Sequence, residues 1–510
     1  MKSESKKPRL PSVFEALIPI LTLVVLMLYV FKFSDDVYDA AHMPLIIAII
    51  VTALVGLRCG HKFEEILGGI KNRIIATLDA ILILLTVGLL ISAFMISGTI
   101  PTLIYYGLKF LSPKTFLPAG TILCAIVGLA CGSSWTATAT VGIAFMTIGQ
   151  GLGINPALTA GMVISGAYVG DKFSPLSDTT NLAAGVAGTG LFDHVAAMVS
   201  TTGPTFLISL ILYSLIGLNL STKGYDPAIA DGISQAIGAN FNTNPLVLLP
   251  ILGIVLIMVL RIPGLIGIMI SVGLGLIFAL IFQKSYNPAE IFTILHYGPE
   301  IVTGNDFLDA ALAKGGMDNQ MWTINLIILA VSFGGALEKC GIIEKLFGHL
   351  KERINSVGGL VLTTMATSIF CDATMCDQFL GIGVPAPLYE DKYDELGLGR
   401  NMLSRTLEDA GTLWAVMFPW TACGAYQFKT LGVNPLDFFP FAFVNLLTPI
   451  YALVVAYLGR NIFWADGSYT NIFGKTKMKK MAQAPKKAHQ KAMKALKQRR
   501  AKGMIPGIDL

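Results

Sequence analysis

The sequence predicts an all-α polytopic membrane protein of about ten net crossings, built from two inverted repeats that each contain an interrupted, hairpin-like helix pair and a discontinuous transmembrane helix. Three observations predict it. Hydrophobic residues make up 54% of the 510 positions and charged residues 14%, against roughly 25% charged in an ordinary soluble chain. Apolar runs of about twenty residues, the length that spans a ~30 Å hydrocarbon core, follow one another up to Leu458. Polar breaks interrupt these runs at corresponding places in the two halves. The 52 glycines suit close helix approach in a bilayer.

Residues 1–13 are basic (Lys2, Lys6, Lys7, Arg9) and are expected inside, where positive charge accumulates. The run Phe14 to Phe33 leads to Asp35, Asp36 and Asp39 and lacks the small-residue cleavage site of a signal peptide, so it reads as a retained span running outward. Ala40 to Leu57 returns to a basic loop (Arg58, Lys62, Lys71, Arg73) and completes an N-terminal helix pair over 14–73. The first repeat, 74–218, begins with Ile74 to Ser97 going out. Gly98 to Phe116 is too interrupted to cross and is expected along the outer interface. Leu117 to Cys131 and Trp135 to Gly149 are separated by Gly132-Ser133-Ser134. At ~1.5 Å per residue each is marginal for the bilayer, so they form a re-entrant hairpin or two short spans. Pro156 to Asn181 crosses with a break, and Phe192 to Leu218 crosses back.

Residues 219–320 link the halves: Pro245 to Leu260 and Pro263 to Phe282 form an antiparallel pair around Arg261. An acidic loop from Gln283 to Gln320, with Glu290, Glu300, Asp306, Asp309 and Asp318, is then expected outside. The second repeat, 321–459, comes in over Met321 to Leu337 to an amphipathic stretch with Lys339, Lys345, Lys351 and Arg353. An interrupted pair broken at Cys371-Asp372-Ala373-Thr374 follows, then a broken crossing over Arg400 to Leu431, and Pro435 to Leu458 returns. Both termini then lie on the cytoplasmic side of a cell (inner) membrane. The tail, 460–510, carries twelve Lys/Arg and no Asp/Glu between Lys475 and Lys502; next to a span this reads as an anchor on an anionic leaflet rather than a nucleic-acid arm.

The order of elements repeats. GTIPTLIYYGLKFL at 98 resembles GIIEKLFGHLKERI at 341. The polar break CGSSW at 131 answers CDATMCDQF at 371, and GDKFSPLSDTTN from Gly170 answers LEDAGTLWAVMFPWTACG from Leu407. By the crossing count the first copy starts outside and the second inside. Inverted repeats with paired broken segments point to a secondary transporter whose site lies near the midplane, where the copies meet. Unwound backbone is tolerated at that depth only where it lines a cavity or is buried in protein. Asp171, Asp178, Asp372, Asp377, Glu408 and Asp409 fall in or beside these breaks, although each costs about 2.5 to 3.5 kcal/mol at the helix centre on an insertion scale. In the first patch two carboxylates, two serines, two threonines and an amide surround Pro175. Hard oxygen ligands of this kind suit Na+, and two nearby carboxylates can hold one proton between them.

GDKFSPLSDTTN, with GSSW before it and SRTLEDAGT and FPWTACGA after it, resembles the NhaC family of sodium/proton antiporters, which includes exchangers of organic acids such as malate and lactate. The resemblance runs from about Ile74 to Leu458. It implies the ion-transporter fold, a homodimer and an elevator-like motion. It also implies a function: exchange of cytoplasmic Na+ for external protons, or alternatively Na+- or H+-coupled exchange of a small organic anion. GSSWTATATVG stands where a plainer GTSWGT-like segment is the family expectation, at a substrate position. Carried over residue by residue, the first half supplies Ser133, Ser134, Thr136, Asp171, Ser174, Ser177, Asp178, Thr179 and Asn181. The second half supplies Asp372, Thr374, Asp377, Glu408, Asp409, Thr412, Trp420 and Thr421. Na+ is expected at Asp171, Asp178, Thr179 and Asn181, with Asp171 or Asp178 exchanging the proton, and Trp135 and Trp420 lining a solute pocket.

No cofactor is expected beyond the transported Na+ and H+, and no enzymatic activity. An intramembrane aspartyl protease is the rival of a different class, but Tyr168 stands where its GxGD motif needs glycine, and such chemistry has no use for an inverted repeat. No GxSxG or Walker motif is present. The seven cysteines form no CxxC pair and read as small buried hydrophobes.

Overall fold

The computed structural model describes residues 8–33, 42–220, 227–260, 262, 264–283, 286–348 and 354–478. Among them seven helices are long and apolar enough to cross a membrane, or nine if two sharply bent pairs each count as one span. Large apolar side chains lie exposed along them. On α10 (Leu191–Asn219) Leu207, Ile211, Leu215 and Leu218 are 51 to 62% exposed, a helical stripe facing outward. Such a stripe requires an apolar surrounding.

The N-terminal pair is α1 (Val13–Phe33) and α2 (His42–Arg58). The helix after it, α3 (Phe63–Ile96), starts earlier than the apolar run predicts. Glu64 and Glu65 favour the positive end of its dipole, and Glu65 accepts the Lys62 N–H at 3.2 Å. Lys71 and Arg73 are therefore helical, not part of a loop. At 34 residues, or about 51 Å at 1.5 Å each, α3 projects beyond any bilayer. The amphipathic α4 (Thr99–Phe110) precedes α5 (Pro113–Cys131). The first break is Gly132-Ser133, after which α6 (Ser134–Ala137), a π-helical turn (Thr138–Gly142) and α7 (Ile143–Gly151) run on continuously. Then come α8 (Pro156–Phe173) and α9 (Asp178–Ala187), separated by Ser174 to Ser177, and α10.

The connecting region holds α11 (Pro227–Asn240), α12 (Leu249–Val259) and α13 (Gly264–Phe278). The acidic loop contains α14 (Pro288–Tyr297) and α15 (Asp306–Leu312), which the apolar runs did not reveal. Asn-Pro starts α14 as it starts α8: the asparagine accepts the N–H two residues on, at 2.7 Å in Asn287 and 2.8 Å in Asn155, and proline occupies the first helical position where no donor is needed. Arg261, the expected turn between α12 and α13, lies outside the described residues.

The second half comprises α16 (Met321–Lys339), α17 (Ile342–Phe347), α18 (Val357–Met375), α19 (Gln378–Gly383), α20 (Pro385–Glu395), α21 (Arg400–Leu407), a π-helical turn (Glu408–Thr412), α22 (Leu413–Ala415), α23 (Ala422–Leu431), α24 (Pro435–Phe438) and α25 (Phe443–Tyr457). Its break falls at Cys376-Asp377, not at Cys371 to Thr374: α18 runs through Asp372, and Asp377 starts α19 by accepting the N–H groups of Phe379 and Leu380 at 2.7 and 3.3 Å.

Element for element, α3 to α10 recur as α16 to α25. The starts of α5 and α18, α6 and α19, α8 and α21, and α9 and α23 are all 244 positions apart. The left-handed residues recur at the same spacing: Gly132 with Cys376, Gly153 with Gly397, Gly188 with Gly432. Gly132 is required twice over, since its φ is 62° and a Cβ there would lie 2.8 Å from that of Leu176.

The tail adds an element that composition conceals, an antiparallel sheet of β1 (Ile462–Phe463), β2 (Ser468–Thr470) and β3 (Thr476–Met478). Most of the basic run lies outside the described residues.

Candidate functional site

Close packing brings the breaks together. α8 lies against α5 through glycines: a Cβ on Gly170 would sit 2.2 Å from the Ala125 carbonyl oxygen, and one on Gly166 2.4 Å from that of Thr121. Small residues let the two backbones approach. This places Asp171, in the last turn of α8, at the first break. Its Oδ2 accepts the N–H of Ser134 at 3.0 Å, at the start of the helix that resumes after Gly132-Ser133.

The next residue does not pair with its neighbour. Lys172 is fully buried, and its Nζ forms an ion pair with Asp409 Oδ1, 237 positions away in the other half. Thr201 Oγ1 donates to the same Asp409 oxygen at 3.1 Å, and Arg405 Nε lies 3.8 Å from Asp409 Oδ2. Glu408, fully buried and without a hydrogen bond to either oxygen, faces Lys172, Asp171, Thr412 and Thr179. Glu408 and Asp409 both belong to the π-helical turn of the second half, and such turns recur at functional sites.

Several first-patch oxygens are occupied by the backbone around them. Ser177 starts α9, accepting the Thr180 N–H at 3.4 Å. Ser174 Oγ accepts from the Leu176 N–H at 3.3 Å. Asn181 is exposed, and its amide donates to the carbonyls of Pro175 and Ser177 at 3.0 and 2.7 Å, so these carbonyls are not wholly free at the proline. Asp178 is exposed in the first turn of α9, whereas Asp171 and Thr179 are buried. The structure thus joins Asp171, Ser134 and Thr179 to Glu408, Asp409 and Thr412. Asp178 and Asn181 sit toward the surface.

The second break forms a neighbouring cluster. Asp372 is fully buried with no hydrogen bond to either oxygen, and it fits because residue 381 is glycine, whose Cβ would lie 1.9 Å from Asp372 Oδ1. Asp377 lies close enough to Asp372 to interact with it electrostatically. Thr374 Oγ1 donates to the Phe370 carbonyl at 2.7 Å, Trp420 Nε1 to that of Ala373 at 2.7 Å, and Thr421 starts α23 by accepting from Gly424 N–H at 3.0 Å. Trp420 therefore fastens the break.

Between the two clusters Trp135 and Thr136, both expected at the site, lie with Tyr426, Tyr168 and Gln427, which were not expected there. Trp135 stacks on Tyr426 from the second half, 4.6 Å between centroids and 17° between planes, and the Tyr426 hydroxyl donates to the Trp135 carbonyl at 2.9 Å. The Trp135 indole N–H, the Tyr168 hydroxyl, the Gln427 amide and Thr136 Oγ1 are buried without hydrogen-bond partners. Tyr168 faces Cys423 and Gln427. Its position three residues before Asp171, on one helix face, is the signal that would have found it; Thr201 and Tyr426 carry none. Among the described residues no three His, Cys, Asp or Glu side chains are arranged to hold a metal ion.

The model of the Na+/H+ antiporter family matches residues 9–180 and 166–460. The chain belongs to the Na+/H+ antiporter family. It is 38% identical over 422 residues to the Na+/H+ antiporter NhaC of Alkalihalophilus pseudofirmus, covering 82% of this chain and 90% of that protein. Over 463 residues it is 33% identical to the malate-2H+/Na+-lactate antiporter of Bacillus subtilis, covering 91% and 98%. Over 461 residues it is 36% identical to the arginine/ornithine antiporter ArcD of Halobacterium salinarum, covering 89% and 94%. The family consists of transporters with several apolar spans. The NhaC resemblance of the motifs thus extends to whole relatives.

Proposed function

We propose that this NhaC-type chain exchanges cytoplasmic Na+ for external protons at the buried centre of Asp171, Glu408 and Asp409. The observation that carries the reading is the charge balance there. Three carboxylates face two bases, Lys172 and Arg405, leaving one excess negative charge when all are ionised. In a low-dielectric interior that charge must be balanced, by a proton or by Na+. Competition for it couples the two ions, because a proton leaves as Na+ enters. Asp171 and Glu408 are the ligands, with Thr179 and Thr412 supplying neutral oxygens. The Lys172–Asp409 pair ties the halves across the site.

The duplication of elements at a constant spacing supports two inverted repeats, with α3 to α10 beginning inside and α16 to α25 outside, about ten crossings, and both termini in the cytoplasm of a cell with its inner membrane as the site. A homodimer is part of the same reading. A second reading, exchange of a small organic ion, is favoured by the unpartnered indole, phenol and amide groups around Trp135, Tyr168 and Gln427, which could hold a solute's polar atoms.

Reconstituted protein separates the two readings. Na+ added to proteoliposomes containing a pH dye should change the internal pH without any organic solute. If the change requires malate, lactate or an amino acid, Na+/H+ exchange is not the reaction.

A further inference from the structure

Arg405 is joined to the C-terminal sheet by contacts that the exchange reading leaves unused. It is fully buried one helical turn before Asp409. Its Nη1 donates to the carbonyl of Asn461 at 2.7 Å and to Ser200 Oγ at 3.2 Å, and its guanidinium lies 5.8 Å from the centroid of the Phe463 ring. Toward Asp409 it stops short, with Nε 3.8 Å from Oδ2, beyond the ordinary hydrogen-bond range of about 2.7 to 3.2 Å. Arg405 Nε and Nη2 and Asp409 Oδ2 are all buried without hydrogen-bond partners. A donor and an acceptor of opposite charge thus face one another with their bond unmade, though unmade charged bonds are costly in such surroundings.

What restrains Arg405 is built into the sheet. Asn461 is left-handed, φ 52°, and 3% exposed. Its Nδ2 donates to the Ser200 carbonyl at 2.9 Å, and its Oδ1 accepts from the Tyr469 hydroxyl at 2.9 Å. Tyr469 on β2 stacks on Phe463 of β1 at 4.5 Å. The sheet is in turn fixed to the turn before α21, since Gly399 N–H donates to the Phe463 carbonyl at 2.8 Å and Ala465 N–H to that of Gly397 at 2.9 Å.

We propose that the C-terminal sheet, acting through Asn461 and Phe463, holds the positioning residue Arg405 back from Asp409, leaving Asp409 to Lys172 and keeping Asp171 and Glu408 open to the transported cation. This rests on the exchange reading above. Once released, Arg405 closes on Asp409, and the Lys172 ammonium turns to its other acidic neighbour, Glu408. There it competes with the incoming cation. Removing the guanidinium does the opposite, because the centre then carries one more negative charge.

The test measures the Na+ KM of exchange by the full-length protein in proteoliposomes. Asn461→Val forces a β-branched residue into a left-handed conformation and removes both side-chain tethers, so it should raise the KM about fivefold, within the usual range of coupling between linked sites. Asn461→Gly keeps the backbone geometry and should raise it less. Arg405→Gln should lower the KM, and Arg405→Gln/Asn461→Val should match Arg405→Gln alone. Opposite signs and this epistasis do not arise from general loosening, whose effects add. Should Asn461→Val not yield monodisperse protein, Phe463→Leu releases the same guanidinium and should give the same rise. An unchanged or lowered KM in these release variants, or an equal rise in the Arg405→Gln background, overturns the proposal while exchange by the parent protein stands. A parent protein with no Na+-dependent proton movement sinks both.

Discussion

Glu408→Gln removes one carboxylate from the centre and keeps its volume. Glu408 is fully buried, has no hydrogen bond to either oxygen, and faces Asp171 and Lys172. With glutamine there, two carboxylates face two bases and the excess charge disappears. For Na+ about 3 Å from the charge of a ligating carboxylate, at an effective dielectric near 20, the lost attraction is about 5 kcal/mol, an upper bound of roughly four orders of magnitude in affinity. Stability should hold or rise, because a buried, unpaired charge is replaced by a neutral group. The assay is Na+-driven internal pH change in proteoliposomes, with thermal unfolding of the same preparation as the folding control. Asp178→Asn, exposed at the start of α9, serves as comparison and should keep most of the exchange. Wild-type Na+ KM in Glu408→Gln would refute the charge balance. Loss of exchange in Asp178→Asn with none in Glu408→Gln would move the site to the surface of α9.

Lys172→Met strands the buried Asp409 carboxylate and should cost about 3 to 5 kcal/mol. Lys172→Met/Asp409→Leu should recover much of that stability without exchange, as read by unfolding in detergent. Gly170→Ala places a Cβ 2.2 Å from a backbone carbonyl of α5 and should cost about 2 kcal/mol or more; a normal yield of monodisperse protein would show that α5 and α8 tolerate wider spacing. Lys314, in the loop before α16, donates to the Thr430 carbonyl at 2.8 Å, and burial, with Lys429 nearby, draws its ammonium from 10.5 down to about 8. Between those values the unfolded chain binds the proton that the folded one has released, so stability should rise with pH across that window. Lys314→Met should lack this rise in melting temperature, and equal slopes would show that Lys314 does not titrate there.

Much of this architecture is legible because helices in a bilayer advertise themselves by length. The spans and the first break at Gly132-Ser133 follow from apolar runs and a glycine. What escaped was local chemistry overriding hydropathy. Glu64 and Glu65 extend α3 into a basic stretch, Asn287-Pro288 starts a helix in an acidic loop, and Asp377 moves the second break five residues past Asp372. The acids gathering at the site were readable as costly residues near breaks. Their partners were not, because Lys172 stands beside Asp171 in sequence and reaches Asp409 only through the packing of the two halves. Asp178 shows the converse. The break from Ser174 to Ser177 separates a carboxylate that is buried, Asp171, from one that is exposed, Asp178 at the first residue of α9.

The duplication explains why such pairings cross between the halves. The positions that shape the backbone recur at a spacing of 244: Ser133 and Asp377 both start helices after a break, as do Ser177 and Thr421. The charged positions of the buried clusters do not recur. The counterpart of Asp171 is Ala415, that of Lys172 is Val416, those of Glu408 and Asp409 are Ile164 and Ser165, and that of Asp372 is Gly128. Had each charge been duplicated with its fold, like charges would have met across the junction, where low dielectric makes repulsion severe. A centre shared by two related halves therefore carries each charge once, and its closest ion pair draws its partners from different copies. Lys172 opposite Asp409 is that arrangement, whereas Asp171 and Glu408 are like charges that meet across the halves. The pair makes the contact between the halves depend on a carboxylate of the proposed cation centre, so in that reading ion occupancy bears directly on how the two halves are held together.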